Sequence, residues 1–232
     1  MKRLLFIIMF WNLLFGNTVE AQDWANKARY ARANMELLAK ANQPVKVVMM
    51  GNSITEFWEE LHPFFFKANG LVGRGISGQV SSQMLARFRQ DVINLKPQLV
   101  VINCGTNDIA ENNGPYDEDI TMDNIVSMSE LALANGIQVV LSSILPTDHF
   151  IWNPDVEQIV EKIHHLNQRI IEYCNSRNIP YLDYYTSMTD NSASMIKAYT
   201  DDGVHPNSAG YDVMEVKLKE MFETLNQYYN NQ

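Results

Sequence analysis

The 232-residue chain carries 18 lysines and arginines against 27 aspartates and glutamates, a formal net charge of −9. That balance, without any run of basic residues, argues against a nucleic acid or an anionic membrane as partner and favours a small neutral or polar molecule. No internal stretch approaches the roughly 20 apolar residues of a membrane span, so stable membrane insertion is not expected.

Lys2 and Arg3, the apolar run from Leu4 to Phe15, and the small-residue site Val19-Glu20-Ala21 make up an export signal. Residues 1–21 are expected to be removed, leaving a secreted or periplasmic protein of residues 22–232. That length suffices for one domain with one core. Apolar runs suited to buried strands follow at Lys46 to Met50, Leu71 to Arg74, Leu99 to Asn103, Ile137 to Ser142, and Tyr181 to Leu182. Helical patterns separate them. Val80, Met84, Phe88 and Val92 recur every four residues, and Val156, Ile159, Val160, Ile163, Ile170, Ile171 and Cys174 trace one face of a second helix. Asn153-Pro154 supplies that helix with an expected N-cap and first-turn proline, and Tyr211, Met214, Leu218, Met221, Phe222 and Leu225 mark the last helix. Strands alternating with helices predict an α/β protein with a parallel sheet covered on both faces, where ligands bind beyond the carboxyl ends of the strands.

Cys104 ends a strand pattern, whereas Cys174 sits late on a helix stripe, so two buried free thiols are expected in place of a disulfide. Without a neighbouring ligand pattern they predict no zinc site, and no metal or cofactor is expected elsewhere.

The residues after the strands carry the chemistry. Gly51-Asn52-Ser53 places a serine hydroxyl at a sharp turn into a helix, but serine needs a base to become a nucleophile. Asp202-Gly203-Val204-His205 offers one: on a tight loop the two side chains can point the same way, Asp202 orienting the ring of His205 towards Ser53. Gly78, in Gly75-Ile76-Ser77-Gly78, and Asn107, in Gly105-Thr106-Asn107-Asp108, offer a backbone N–H and a side-chain amide to a developing oxyanion.

Together the segments GNSITEFW, GRGISGQVSS, NCGTNDI and DDGVHPNSAGY resemble, in order and context, the four blocks of the SGNH (GDSL-like) hydrolases, most nearly the small branch that includes platelet-activating-factor acetylhydrolase-like and carbohydrate esterases. The resemblance covers nearly the whole mature chain. It implies a flavodoxin-like three-layer α/β/α sandwich with about five parallel strands, and hydrolysis through an acyl-serine intermediate without a metal. It makes Ser53 the nucleophile, Asp202 and His205 the activating pair, and Ser53, Gly78 and Asn107 the oxyanion hole; it also selects Asp202 over the neighbouring Asp201. Many members carry aspartate where this chain has Asn52. The G-x-S-x-G elbow of the larger α/β-hydrolases is absent.

Each residue also has a plainer reading. Ser53 alone reads as a helix cap, Gly75 and Gly78 as turn glycines, Asn107 as a loop brace, and Asp202 with His205 as loop bracing before a helix that Pro206 and Asn207 help to start. His62, His164 and His165 read as structural, Asn167 as a hydrogen-bonded core amide, and Asp117, Glu118, Asp119 and Asp123 as a solvated loop and helix start. Pro146 to Asn153, with His149, Phe150 and Trp152, either walls the substrate pocket or simply packs. The expected substrate is a small-molecule ester, a short acyl group such as acetate on a carbohydrate or another small alcohol. A lysophospholipase or thioesterase acting on lipids, and a carbohydrate-binding module without activity on the same scaffold, are the alternatives.

Overall fold

The computed structural model describes residues 23–40 and 44–230; the expected leader lies outside them. Strands β1 (Val47–Gly51), β2 (Leu71–Gly75), β3 (Leu99–Ile102), β4 (Gln138–Ser142) and β5 (Tyr181–Leu182) form one sheet in the order β2-β1-β3-β4-β5, every pairing parallel. This is the flavodoxin-like doubly wound order. Each of the five apolar runs became a strand, with ends shifted by a residue at most.

The helices are α1 (Ala31–Ala39), α2 (Ser53–Leu61), α3 (Pro63–Asn69), α4 (Ser81–Asp91), α5 (Thr106–Ile109), α6 (Glu118–Ala134), α7 (Ile159–Arg177), α8 (Tyr185–Met188) and α9 (Ser208–Asn230). Alternation along the strands sorts the core into two layers. Val48, Met50, Val100, Ile102, Val139 and Leu141 pack on one face with Met84 and Phe88 of α4, Ile125 and Met128 of α6, and Ile163, Leu166 and Ile170 of α7. Val47, Met49, Leu99, Val101 and Val140 pack on the other with Ile54 and Trp58 of α2, Phe66 of α3, and Tyr211, Met214 and Leu218 of α9. Burial on both faces is why the strands read as unbroken apolar runs.

One helix boundary differs from expectation. Asn153 and Pro154 lie in a turn, and α7 begins at Ile159 after Gln158, which has a φ of 55°. The Asn153 side chain, the expected cap, instead donates to the Ala110 carbonyl at 3.0 Å. Val156 still reaches the core, so a turn satisfied the apolar position that periodicity had assigned to a helix. On α7, Asn167 is the hydrogen-bonded core amide expected: its Oδ1 accepts from the Ile144 N–H at 2.8 Å and its Nδ2 donates to the Ile144 carbonyl at 3.1 Å. Asp117 caps α6, accepting from the Ile120 N–H at 3.0 Å.

Cys104 and Cys174 are both buried and free. Burial pushes the Cys104 thiol well above its ordinary range and Cys174 up to about 12.

The carboxyl ends of β1 and β2 are fastened from beneath by Arg87 of α4, which is fully buried. Its guanidinium donates to the carbonyls of Gly51 and Arg74, each at 2.9 Å, to Gln79 Oε1 at 2.6 Å and to Asp91 Oδ2 at 3.0 Å. The loops that leave these strands therefore start from fixed points.

Candidate active site

β1, β2 and β3 lie side by side in register, with Gly51 opposite Gly75 and Met50 opposite Ile102, so the loops that follow them gather at one edge of the sheet. Asn52 is the N-cap of α2, its Oδ1 accepting from the Ile54 N–H at 3.1 Å, and Ser53 is the first helical residue. The capping role read for the serine falls to its neighbour, which leaves the Ser53 hydroxyl free. The first N–H groups of a helix have no partner within it, so the Ser53 N–H is also available to a ligand.

The Ser53 Oγ lies 2.9 Å from His205 Nε2, and His205 Nδ1 lies 2.7 Å from Asp202 Oδ2. The loop that achieves this is wound around two oxygens. Thr200 Oγ1 accepts from the Gly203 N–H at 2.9 Å and donates to the His205 carbonyl at 2.8 Å, while Asp202 Oδ1 accepts from the N–H groups of Val204 at 2.9 Å and His205 at 2.7 Å. Gly203 has a φ of +81°, and a Cβ there would sit 2.4 Å from the His149 ring, so conformation and space both demand glycine. Burial alone would raise the Asp202 carboxyl, but the hydrogen bonds from the His205 ring and from the two backbone N–H groups outweigh it and hold the group below the usual carboxylate value. An ionised Asp202 keeps the proton on His205 Nδ1 and leaves Nε2 to accept from Ser53.

Gly78 (φ +76°) and Asn107 line the same cavity, of about 260 Å³, together with Ser53, Phe57, Ser77, Asn112, Trp152 and His205. Asn107 Nδ2 donates one hydrogen to the Gln79 carbonyl at 2.9 Å, which makes this side chain a loop brace with a second N–H to spare. Ser77 is held in place by Glu56, whose Oε2 accepts from its N–H at 2.7 Å and from its hydroxyl at 2.6 Å. Ser53, Gly78, Asn107 and His205 thus line one cavity, with Asp202 behind the imidazole: a hydroxyl, a base with its orienting carboxylate, and two residues able to lend donors. Such a set can perform acyl transfer.

Residues 49–213 match the family of GDSL-like lipases and acylhydrolases. The chain belongs to this family. A GDSL-like lipase of Bacteroides thetaiotaomicron is 50% identical over 87% of this chain and 98% of its own, with a TM-score of 0.84. A Bacteroides fragilis protein classed among the acylhydrolases is 53% identical over 88% and 99% of the two chains, with a TM-score of 0.85. A multidomain esterase of Ruminococcus flavefaciens is 26% identical over 118 residues, 51% of this chain but 14% of that protein's length.

As a GDSL-like esterase and so a carboxylic ester hydrolase, the chain needs walls around the reacting centre. Phe57 and Trp152 flank the imidazole, with ring centroids 5.2 and 6.0 Å from that of His205. The segment from Pro146 to Asn153 divides its roles: Trp152 lines the cavity, Phe150 is buried in the core, and His149 packs on Gly203 while pairing with Asp148 at 2.7 Å. Phe57 was legible in principle, four residues after Ser53 on one helix face. Asn112 and Ser77 carry no local signal that separates them from other loop residues.

The remaining histidines tie elements together. His164 meets the Tyr185 hydroxyl at 2.6 Å and His165 meets Glu118 at 3.1 Å. His62 joins the α2–α3 junction to α9 through Glu215 at 2.6 Å and Ser208 at 2.8 Å. His62, Asp212 and Glu215 also form, among the described residues, the one group of three or more His, Cys, Asp or Glu residues whose ligand atoms all lie within 4.8 Å of one another. Both ring nitrogens are already engaged, so these residues do not fit a resident metal without breaking that strut. Among the described residues, no helix is long and apolar enough to cross a membrane.

Proposed function

We propose that the protein is an exported serine esterase that removes a short acyl group, acetyl above all, from a carbohydrate or other small polar alcohol. Ser53 attacks the ester carbonyl while His205 Nε2 takes its proton. Asp202 stabilises the imidazolium that forms. The N–H groups of Ser53 and Gly78 and the Asn107 amide hold the oxyanion. His205 then protonates the departing alcohol, and water, activated by the same imidazole, releases the acid from the acyl-serine.

The observation that carries this reading is the Asp202–His205–Ser53 relay, with contacts of 2.7 and 2.9 Å, opening on the cavity that Gly78 and Asn107 line. Relay contacts of this length speak against a binding module that has lost activity, whose base would have no need to reach the serine. At about 260 Å³ the cavity is smaller than the roughly 300–1,000 Å³ of sites for larger ligands, which favours a short acyl group over a fatty chain. Trp152, 42% exposed at its rim, offers a flat face for a sugar ring. The basic and apolar start of the chain supports export.

A series of p-nitrophenyl esters of increasing acyl length, assayed with Ser53→Ala and His205→Ala alongside, tests the proposal. Turnover of acetate that falls steeply with chain length and vanishes in both variants is the expected result. Preference for long acyl chains would assign the enzyme to lipids, and turnover that persists in Ser53→Ala would refute the mechanism.

A further inference from the structure

The cavity that accepts the ester is bounded by a chain of hydrogen bonds with a fixed direction. An indole N–H can only donate. Trp152 Nε1 donates to Asn112 Oδ1 at 2.8 Å, so the Asn112 amide must turn its Nδ2 the other way. That Nδ2 meets two acceptors at once, the Gly78 carbonyl at 3.2 Å and Asn107 Oδ1 at 3.0 Å. With its oxygen engaged there, Asn107 directs its own Nδ2 to the Gln79 carbonyl at 2.9 Å and to the cavity. A flipped Asn107 would turn its one amide oxygen towards the Gln79 carbonyl and the oxyanion, and would set its Nδ2 against that of Asn112. Asn112 therefore binds both of the residues outside α2 that lend a donor, at the Asn107 amide oxygen and the Gly78 carbonyl.

The backbone is bent to put Asn112 there. Glu111, immediately before it, has a φ of +58°, a conformation that a residue with a Cβ rarely adopts. The bend brings the Asn112 N–H back to the Asn107 carbonyl at 3.1 Å, and Lys162 of α7 steadies Glu111 from 3.6 Å. Asn153 next to Trp152 holds Ala110 at 3.0 Å, so the two segments are joined twice.

We propose that Asn112 is a positioning residue for ester hydrolysis: it sets the orientation of the Asn107 amide and braces the Gly78–Gln79 peptide next to the Gly78 N–H, and Trp152 in turn sets the orientation of Asn112. The proposal rests on the esterase reading above. It also couples the half-exposed wall on which the alcohol would lie to the donors that hold the oxyanion, so a group resting on Trp152 acts on kcat as well as on binding. Asn112 does not touch the reacting atoms; its effect passes through Asn107 and Gly78.

A double-mutant cycle on p-nitrophenyl acetate tests this, with Asn112→Ala, Asn112→Asp and Trp152→Phe each made in the native protein and in Asn107→Ala. Loss of a donor itself typically costs about 10²–10³-fold in kcat, and Asn112→Ala should lower kcat by roughly ten-fold or more with little change in KM. Asn112→Asp, which sets a carboxylate oxygen against Gly78 O and Asn107 Oδ1, should do at least as much, and Trp152→Phe, which keeps the ring and removes the donor, somewhat less. In the Asn107→Ala background the Asn112→Ala effect should shrink by roughly three-fold or more, to what the brace on Gly78 contributes, because the Asn107 amide is gone. Equal losses in both backgrounds, or a change in melting temperature or KM with kcat intact, would overturn the proposal. Activity that survives Ser53→Ala would overturn the esterase reading itself, a result distinct from any outcome of the cycle.

Discussion

Asp202 accepts hydrogen bonds from the backbone N–H groups of Val204 and His205 and from the His205 ring. Asp202→Asn would keep the shape of the loop but lose the preference for the tautomer that leaves Nε2 bare. A fall in kcat on the order of 10⁴-fold with a modest change in KM is expected, measured on p-nitrophenyl acetate at neutral pH. The same carboxylate also sets a pH dependence. Its pKa in the fold lies below the ordinary 3.8, so its contribution to stability is complete above that value and is lost as pH falls through the lower folded one. The melting temperature of the native protein minus that of Asp202→Asn should hold steady above about pH 5 and shrink below about pH 4; a difference that grew on acidification would contradict the assignment.

At the scale of elements, two residues hold the start of the site in place. Asn52 caps α2 one residue ahead of Ser53, so Asn52→Ala should cost about 0.5–2 kcal/mol of stability, read by urea denaturation, and should lower kcat because the helix start carries the hydroxyl. This also gives a physical meaning to asparagine where aspartate is common in the family: the side-chain oxygen caps the helix without placing a negative charge one residue before Ser53. Arg87 works from the opposite side. Arg87→Met would take a partner from Gln79 and two strand-end carbonyls and the cation from Asp91, and breaking a buried pair of this kind costs about 3–5 kcal/mol, measurable in the same denaturation experiment. A cost below about 1 kcal/mol would mean that the carbonyls find other partners.

For the whole molecule, the two cysteines lie in the layer that α4, α6 and α7 form with the sheet. No disulfide joins them, and burial keeps both thiols protonated at neutral pH. The melting temperature should be the same with and without dithiothreitol, and an aromatic disulfide reagent should label both thiols only once the protein is unfolded. Rapid labelling of the native protein would contradict the packing described for this layer.

The parallel sheet was legible because its strands are buried on both faces and so read as continuous apolar runs, and Gly51, Gly78 and Asn107 could be found because each stands just past one of those runs. Asp202 and His205 were legible as a pair because their spacing on a glycine loop is local. The start of α7 was not, since Val156 is buried by a turn as well as it would have been by a helix, and apolar spacing alone does not distinguish the two. The amino-acid sequence by itself thus determined which strands form, which face of each helix is buried, and which residues stand at the carboxyl edge of the sheet. Only the tertiary structure decided that Asn52 and not Ser53 caps α2, that Arg87 pins the strand ends, and that Trp152 and Asn112 complete the cavity. The Asn52 cap is local, but the choice goes to Asn52 while the Ser53 hydroxyl meets His205, 152 positions away. The Arg87 and Trp152 contacts likewise join residues 13 to 40 positions apart, whose pairing is decided by distance and hydrogen-bond direction in the folded chain, which no local pattern records.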